Sequence, residues 1–189
     1  QTLREPLEKI TTQAVRAGEV IRRLRSFIKK SASELESINT NALVSEVVQL
    51  AEVDAHRHGI PVHLHLAHAM PDVRVDTVQI QQVILNLIRN ALEAMDETPR
   101  DLARVDVYTQ REGEGQVSIR VVDAGPGLSE DAQQQVFTPF FTTKVAGMGM
   151  GLSISESIVN AHGGSLLVSN NANGIGATFK VLLTAQNIQ

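Results

Sequence analysis

QQVILNLIRNALEAM, residues 81–95, carries two patterns on one candidate helix. Ile80, Val83, Ile84, Leu87, Ala91 and Met95 recur at three- and four-residue spacings, the apolar stripe of a helix that packs on a core. Asp76 stands where a capping side chain is wanted, so the helix is expected from there to about Met95. Gln82, Asn86, Asn90 and Glu93 form a second, polar stripe beside the first. An asparagine side-chain oxygen is a hard neutral ligand, suited to a Mg²⁺ that takes its other oxygens from phosphates and water. Two asparagines at this spacing also describe an ordinary solvated face, and the stripe alone leaves both readings open.

Upstream, Asn39, Thr40 or Asn41 can cap a helix carrying Leu43, Val47, Leu50 and Ala51, which Gly59 would end. IPVHLHLA at 60–67 then alternates Ile60, Val62, Leu64 and Leu66 inward with His63 and His65 outward, as a half-buried strand does. The two histidines lack a third partner at ligand spacing, so exposed strand positions explain them better than a metal. Downstream, RVDVYTQ and QVSIRVVD form a hairpin around Gly113 and Gly115. A further helix runs to about His162 and stops at Gly163 and Gly164. SLLVSN and ATFKVLL close the domain around a turn at Asn173 and Gly174. The expected architecture is an α/β two-layer sandwich, a mixed sheet of about five strands with three helices on one face.

Three further groups could carry chemistry. In VVDAGPGL, residues 121–128, a β-branched strand runs into Asp123, and Gly125-Pro126-Gly127 has the composition of a type II turn. A carboxylate at the end of a core strand is costly unless it finds a donor. A purine amino group would serve, and so would nearby backbone amides. In VFTPFFTTKVAGMGMGLSIS, residues 136–155, Gly147, Gly149 and Gly151 lead directly into a helix, whose exposed amides and dipole favour an anion. This cluster matches neither the GxxxxGK phosphate loop nor the dinucleotide fingerprint, which leaves a mobile lid. Gly174, Gly176 and Thr178 open the last strand, where a hydroxyl could reach a base or its water.

The net charge of −4 and pI near 5.9 argue against a general nucleic-acid surface, and zero cysteines remove disulfide and thiolate chemistry. No apolar run is long enough to span a bilayer. Leu3, Leu7, Ile10, Ala14, Ala17, Ile21, Leu24 and Ile28 alternate spacings of four and three, the seam of a helical bundle that needs a partner helix. Residues 31–38 read as a linker. A chain opening at Gln1 is expected to be a fragment of something longer.

The motifs and their order resemble the ATP-binding domain of sensor histidine kinases, in the superfamily that also holds gyrase, Hsp90 and MutL. QQVILNLIRNALEAM is similar to the asparagine box, VVDAGPGL to the first glycine box, VFTPFFTTK to the phenylalanine box, GMGMGLSIS to the second glycine box and GIGATF to the last. The resemblance covers roughly residues 39–183 and implies the Bergerat fold, within a domain of 39–185. RAGEVIRRLRSFI resembles the second helix of the dimerisation and phosphotransfer domain, over 1–30, most like the FixL/NtrB-type kinases. It implies ATP and Mg²⁺ as ligands, with Asn90 the principal metal ligand and Asn86 close by. Asp123 would accept from adenine, Gly125 and Gly127 would let the backbone approach the base, and Thr178 would assist through water. Lys144 and the amides near Gly147, Gly149, Gly151 and Leu152 would face the phosphates, while Phe137, Phe140 and Phe141 would anchor the lid.

One departure shapes the expected reaction. Where the water-activating ATPases of the superfamily carry a glutamate, this chain carries Asn86, which cannot accept a proton at neutral pH. Transfer to a protein acceptor is therefore favoured over hydrolysis, and the resemblance implies a histidine as that acceptor, with onward transfer to a response regulator aspartate. No histidine lies on the heptad helix, so the acceptor and the first bundle helix are expected to be missing. The parent would be a cytoplasmic or membrane-anchored homodimer joined through the bundle. A self-contained ATPase and a non-catalytic dimerisation and regulator-docking module are the alternatives.

Overall fold

The computed structural model describes residues 35–113, 115–144, 147–172 and 174–186. The chain divides into two units, Gln1–Ser33 and Glu34–Gln189, and all described residues belong to the second. The expected heptad helix and Asn173 of the expected turn lie outside them.

Helix α1 (Thr40–His58) starts where Asn39 Oδ1 accepts the amides of Asn41 and Ala42, and ends on Gly59 at φ 62, the left-handed cap a glycine permits. Leu43, Val44, Val47 and Ala51 on its inner face are fully buried. Helix α2 (Thr77–Ala94) begins at Asp76, whose carboxylate accepts from the Gln79 amide. Its face of Ile80, Val83, Ile84, Leu87 and Ile88 is wholly removed from solvent. Truncating one such side chain to alanine costs about 2–5 kcal/mol, so this stripe fixes the helix in place. Glu46 accepts from Gln81 at 2.9 Å and Asp54 pairs with Arg89 at 2.6 Å, joining α1 to α2 across their outer edges.

Five strands form the main sheet: β2 (Val62–His65), β4 (Val105–Glu112), β5 (Gln116–Asp123), β6 (Ser165–Asn170) and β7 (Ala177–Thr184). Their order is β2-β4-β5-β7-β6, with β2 parallel to β4 and every other pair antiparallel. One face alternates buried residues, Val105 and Val107 with Val117, Ile119 and Val121 and then Phe179 and Val181. Helices α1, α2 and α4 (Gly151–Ala161) cover that face, giving the two-layer sandwich. The strand 62–65 is shorter than the expected 60–67, and Leu66, expected inward, is 39% exposed because the pairing with β4 ends at His65.

Three elements were not expected. Strand β1 (Glu36–Asn39), which begins in the stretch read as linker, pairs antiparallel with β3 (Asp72–Val75) in a separate two-stranded sheet. A short helix, α3 (Glu130–Gln135), is capped by Ser129, whose hydroxyl accepts the Ala132 amide at 3.2 Å.

Candidate functional site

The end of β5 delivers Asp123 onto the helix-covered face, where it is 5% exposed. The amides of Gly125 and Ala177 donate to its Oδ1 at 2.9 and 3.2 Å. Burial pushes this carboxyl above the ordinary aspartate range, while the two amides pull it back down without cancelling the rise. Both amides use one oxygen, so Oδ2 remains available to a donor from a ligand. Asp123 is thus satisfied by backbone and still offers a lone-pair edge, combining the two readings that its sequence position allowed. Gly176 closes the wall behind it. At φ 82, a side chain there would be strained, and its Cβ would collide with the Asp123 carbonyl.

Helix α2 brings the asparagines to the other side of the site. Asn86 Nδ2 donates to Ser155 Oγ at 3.1 Å, and Ser155 donates in turn to the Gly151 carbonyl at 3.0 Å. Gly151, the first residue of α4, packs so closely that a Cβ there would sit 2.9 Å from Asn86 Oδ1. The start of α4 is therefore docked on Asn86. Met150 provides no side-chain cap and the first turn holds no acidic residue, so the amides of this turn are open to an anion. Leu152, in that turn, packs against the core.

One turn further along α2, Asn90 Oδ1 accepts from Lys144 Nζ at 3.3 Å. The same ammonium is ion-paired with Glu93. A cation thus rests on the asparagine oxygen, with its charge balanced by the neighbouring Glu93 carboxylate. The Asn90 side-chain oxygen is a hard neutral donor, the type that Mg²⁺ takes beside phosphate and water oxygens.

Between these sides, Phe137 packs against the core, Phe141 is half-buried and Phe140 is 73% exposed with φ 69. Of the three expected anchors, Phe137 is the one seated on the core. The Phe140 amide donates to the Gly149 carbonyl at 2.9 Å, and the Gly147 amide to the Lys144 carbonyl at 3.2 Å. After Asp123 the chain bends at Gly125, and Gly127 takes φ 75, the left-handed value that the third position of the expected type II turn needs. Val145 and Ala146 lie outside the described residues.

Thr178 requires a correction. It pairs with Val122 in the ladder and shares a face with Lys180, whereas Asp123 shares the opposite face with Val121 and Ile119. Strand side chains alternate, so the residue beside the Asp123 carboxylate is Ala177, and the Thr178 hydroxyl points to the back of the sheet. There it donates to Asn171 Oδ1 at 2.6 Å. Reading the sequence by motif also passed over Ser155, Asn171 and Asn170, whose side chain accepts from the Leu128 amide and donates to the Leu128 carbonyl, both at 2.8 Å. Ser155 sits at i+4 from Gly151 and so could have been placed on the face toward α2; nothing local marks the two asparagines beyond turn composition.

The histidines lie elsewhere. His65 stacks on Tyr108 at 4.4 Å and bonds Asp106, and His58 bonds Asp96 at 2.8 Å. His162 Nδ1 lies 2.7 Å from the Ile158 carbonyl and its Nε2 accepts the Asp76 amide at 3.0 Å, tying the end of α4 to the start of α2. Among the described residues no helix is long and apolar enough to cross a membrane.

A buried carboxylate, an asparagine pair on one helix and an open helix N-terminus at the far side form one constellation. Comparison with known proteins gives it a family. The family described as histidine kinase-, DNA gyrase B- and HSP90-like ATPase matches residues 75–187, and the chain belongs to that family. The sensor protein FixL of Bradyrhizobium diazoefficiens is 40% identical over 179 residues, 95% of this chain and 35% of FixL. The chain therefore spans about a third of that relative's length. The histidine kinase ThkA, solved in complex with the response regulator TrrA, aligns with a TM-score of 0.76 at 26% identity, over 98% of this chain and 52% of that one. Full-length ShkA in complex with AMPPNP aligns at 0.71 and 26% identity, over 82% of this chain and 32% of that one.

Proposed function

We propose that this chain is the ATP-binding catalytic part of a sensor histidine kinase, which donates the γ-phosphoryl group of ATP to a histidine on a dimeric helical bundle. The observation that carries the reading is the pairing of Asp123 with the Asn90–Lys144 contact at opposite ends of one site. Asp123 Oδ2 would accept from the adenine amino group, and Gly125 and Gly127 let the ring approach the backbone. Asn90, with Asn86 beside it, would hold Mg²⁺, which supplies charge neutralisation along the triphosphate. Lys144 would leave Asn90 and Glu93 for the phosphates, joined by the amides of Gly151 and Leu152 and by the backbone around Gly147 and Gly149.

Chemistry at the γ-phosphorus is an in-line exchange: a bond forms from an imidazole nitrogen to phosphorus while the bond to the bridging oxygen breaks, and ADP leaves with that oxygen's electron pair. The chain's share is positioning and electrostatics. Asn86 offers no base to activate water, and its amide is already engaged with Ser155. The phosphohistidine would then pass its phosphoryl group to an aspartate of a response regulator, and this setting implies a cytoplasmic location and a homodimeric parent.

Mixing the chain with Mg²⁺-ATP and a histidine-bearing helical bundle from a relative tests this. Acid-labile phosphate on the bundle, with little free phosphate released, is expected. Steady phosphate release without any labelled bundle would overturn it in favour of a hydrolysing ATPase.

A further inference from the structure

We propose that Asn171, in the turn between β6 and β7, is the positioning residue that sets the base-recognition carboxylate of Asp123. The inference rests on the reading of Asp123 as the acceptor for the adenine amino group.

Hydrogen-bond accounting fixes the Asn171 amide without ambiguity. Nδ2 donates to the Asp123 carbonyl at 2.8 Å and to the Ile175 carbonyl at 2.7 Å. Carbonyls only accept, so both hydrogens of the amide are committed, and Oδ1 must be the atom that faces Thr178. The Thr178 hydroxyl therefore donates, at 2.6 Å. The Asn171 backbone amide also donates to the Gly176 carbonyl at 3.0 Å. One side chain thus ties together the end of β5, the turn and the second residue of β7.

Consequences reach the other face of the sheet through the backbone. Asp123 lies one residue past the last ladder pair between β5 and β7, Val122 with Thr178, so its carbonyl leans on Asn171. Its carboxylate is fastened to the same neighbouring strand from the front, by the Ala177 amide. Two attachments to β7, one behind through Asn171 and Thr178 and one in front through Ala177, hold this residue from both sides. Gly176 permits the approach, since a Cβ there would occupy the space of the Asp123 carbonyl and would lie 2.8 Å from Asn171 Nδ2. Removing the rear attachment lets the end of β5 move away from β7, and the direction of Oδ2 goes with it. The hydroxyl at 178 contributes from behind the sheet by orienting the amide that holds the carboxylate's own backbone.

The experiment compares ADP with IDP, which carries a carbonyl where ADP carries the amino group. Both are titrated, with Mg²⁺, into the 189-residue chain and into Asn171→Asp, Asn171→Ala and Thr178→Val. Asn171→Asp keeps the size and loses both donors; Thr178→Val keeps the β-branched shape and loses one bond, so it guards against a variant that does not fold. The preference for ADP over IDP is expected to fall about tenfold in Asn171→Asp and Asn171→Ala, and less in Thr178→Val, while IDP affinity itself moves less than about threefold. ADP and IDP weakening by the same factor, or neither changing, would overturn the proposal, because a support that acts only on the fold cannot distinguish one exocyclic group. Asp123→Asn is titrated alongside. If that variant binds ADP as the parent does, the reading of Asp123 fails; if it loses ADP while the Asn171 variants keep the preference, the positioning role alone fails.

Discussion

In the proposed function Asp123 has to be buried enough to exclude water from its partner and ionised enough to accept a hydrogen bond, and these demands oppose each other. Burial raises its pKa, while Gly125 and Ala177 hold it back, and the net shift is upward. An acid whose folded pKa exceeds its unfolded value binds more protons when folded, so its contribution to stability is present at low pH and lost as pH rises through the folded pKa. Asp123→Asn, which keeps an acceptor for both amides, is therefore expected to melt above the parent near neutral pH. The two melting temperatures should converge below the ordinary aspartate value of 3.8. Thermal melts across that range check it, and a variant less stable than the parent at neutral pH would contradict it. ADP binding should weaken in the same acidic range, because the protonated carboxyl loses lone pairs that the amino group needs.

Helix α2 carries the other half of the site, and its two stripes serve different ends. Leu87 is fully buried, so Leu87→Ala should cost about 2–5 kcal/mol in urea unfolding. Glu93 is exposed and pairs with Lys144, a partner that the proposed function needs at the phosphates. Glu93→Gln should release Lys144 and raise Mg²⁺-ADP affinity, by no more than about fivefold given the modest worth of exposed pairs, and the gain should shrink as salt is added. A fall in affinity would place Glu93 among the groups that assist the bound cation. Much of this element was legible in the sequence, because caps and apolar periodicity act within a few residues: Asn39, Gly59 and Asp76 each end or begin a helix where expected. Strands β1 and β3 were not, since ESIN carries no alternation, DVRV alternates over only four residues, and the two exist through pairing with each other. Thr178 shows how thin the margin is: the motif led to the correct strand end, but a one-residue change of parity moves a side chain to the other face.

At the scale of the molecule, the order of boxes along the chain pointed to the sandwich, because they lie along α2, at the end of β5, at the start of α4 and at the start of β7, which the sandwich brings to one place. What the sequence could not supply were contacts across the fold, such as Lys144 on Asn90, Asn86 on Ser155 and Asn171 on Asp123, which join residues far apart in the chain. Those contacts turn a set of motifs into a site with the Asp123 carboxylate at one end and Asn90, Lys144 and the start of α4 at the other, the ends that the proposed function gives to adenine and to the phosphates. The most direct test of that account is calorimetric titration of Mg²⁺-ADP into the parent chain and Asp123→Asn. Saturable binding to the parent, weakened at least about tenfold in the variant, is the predicted result. No binding to the parent at millimolar nucleotide, or equal binding to both proteins, would contradict it.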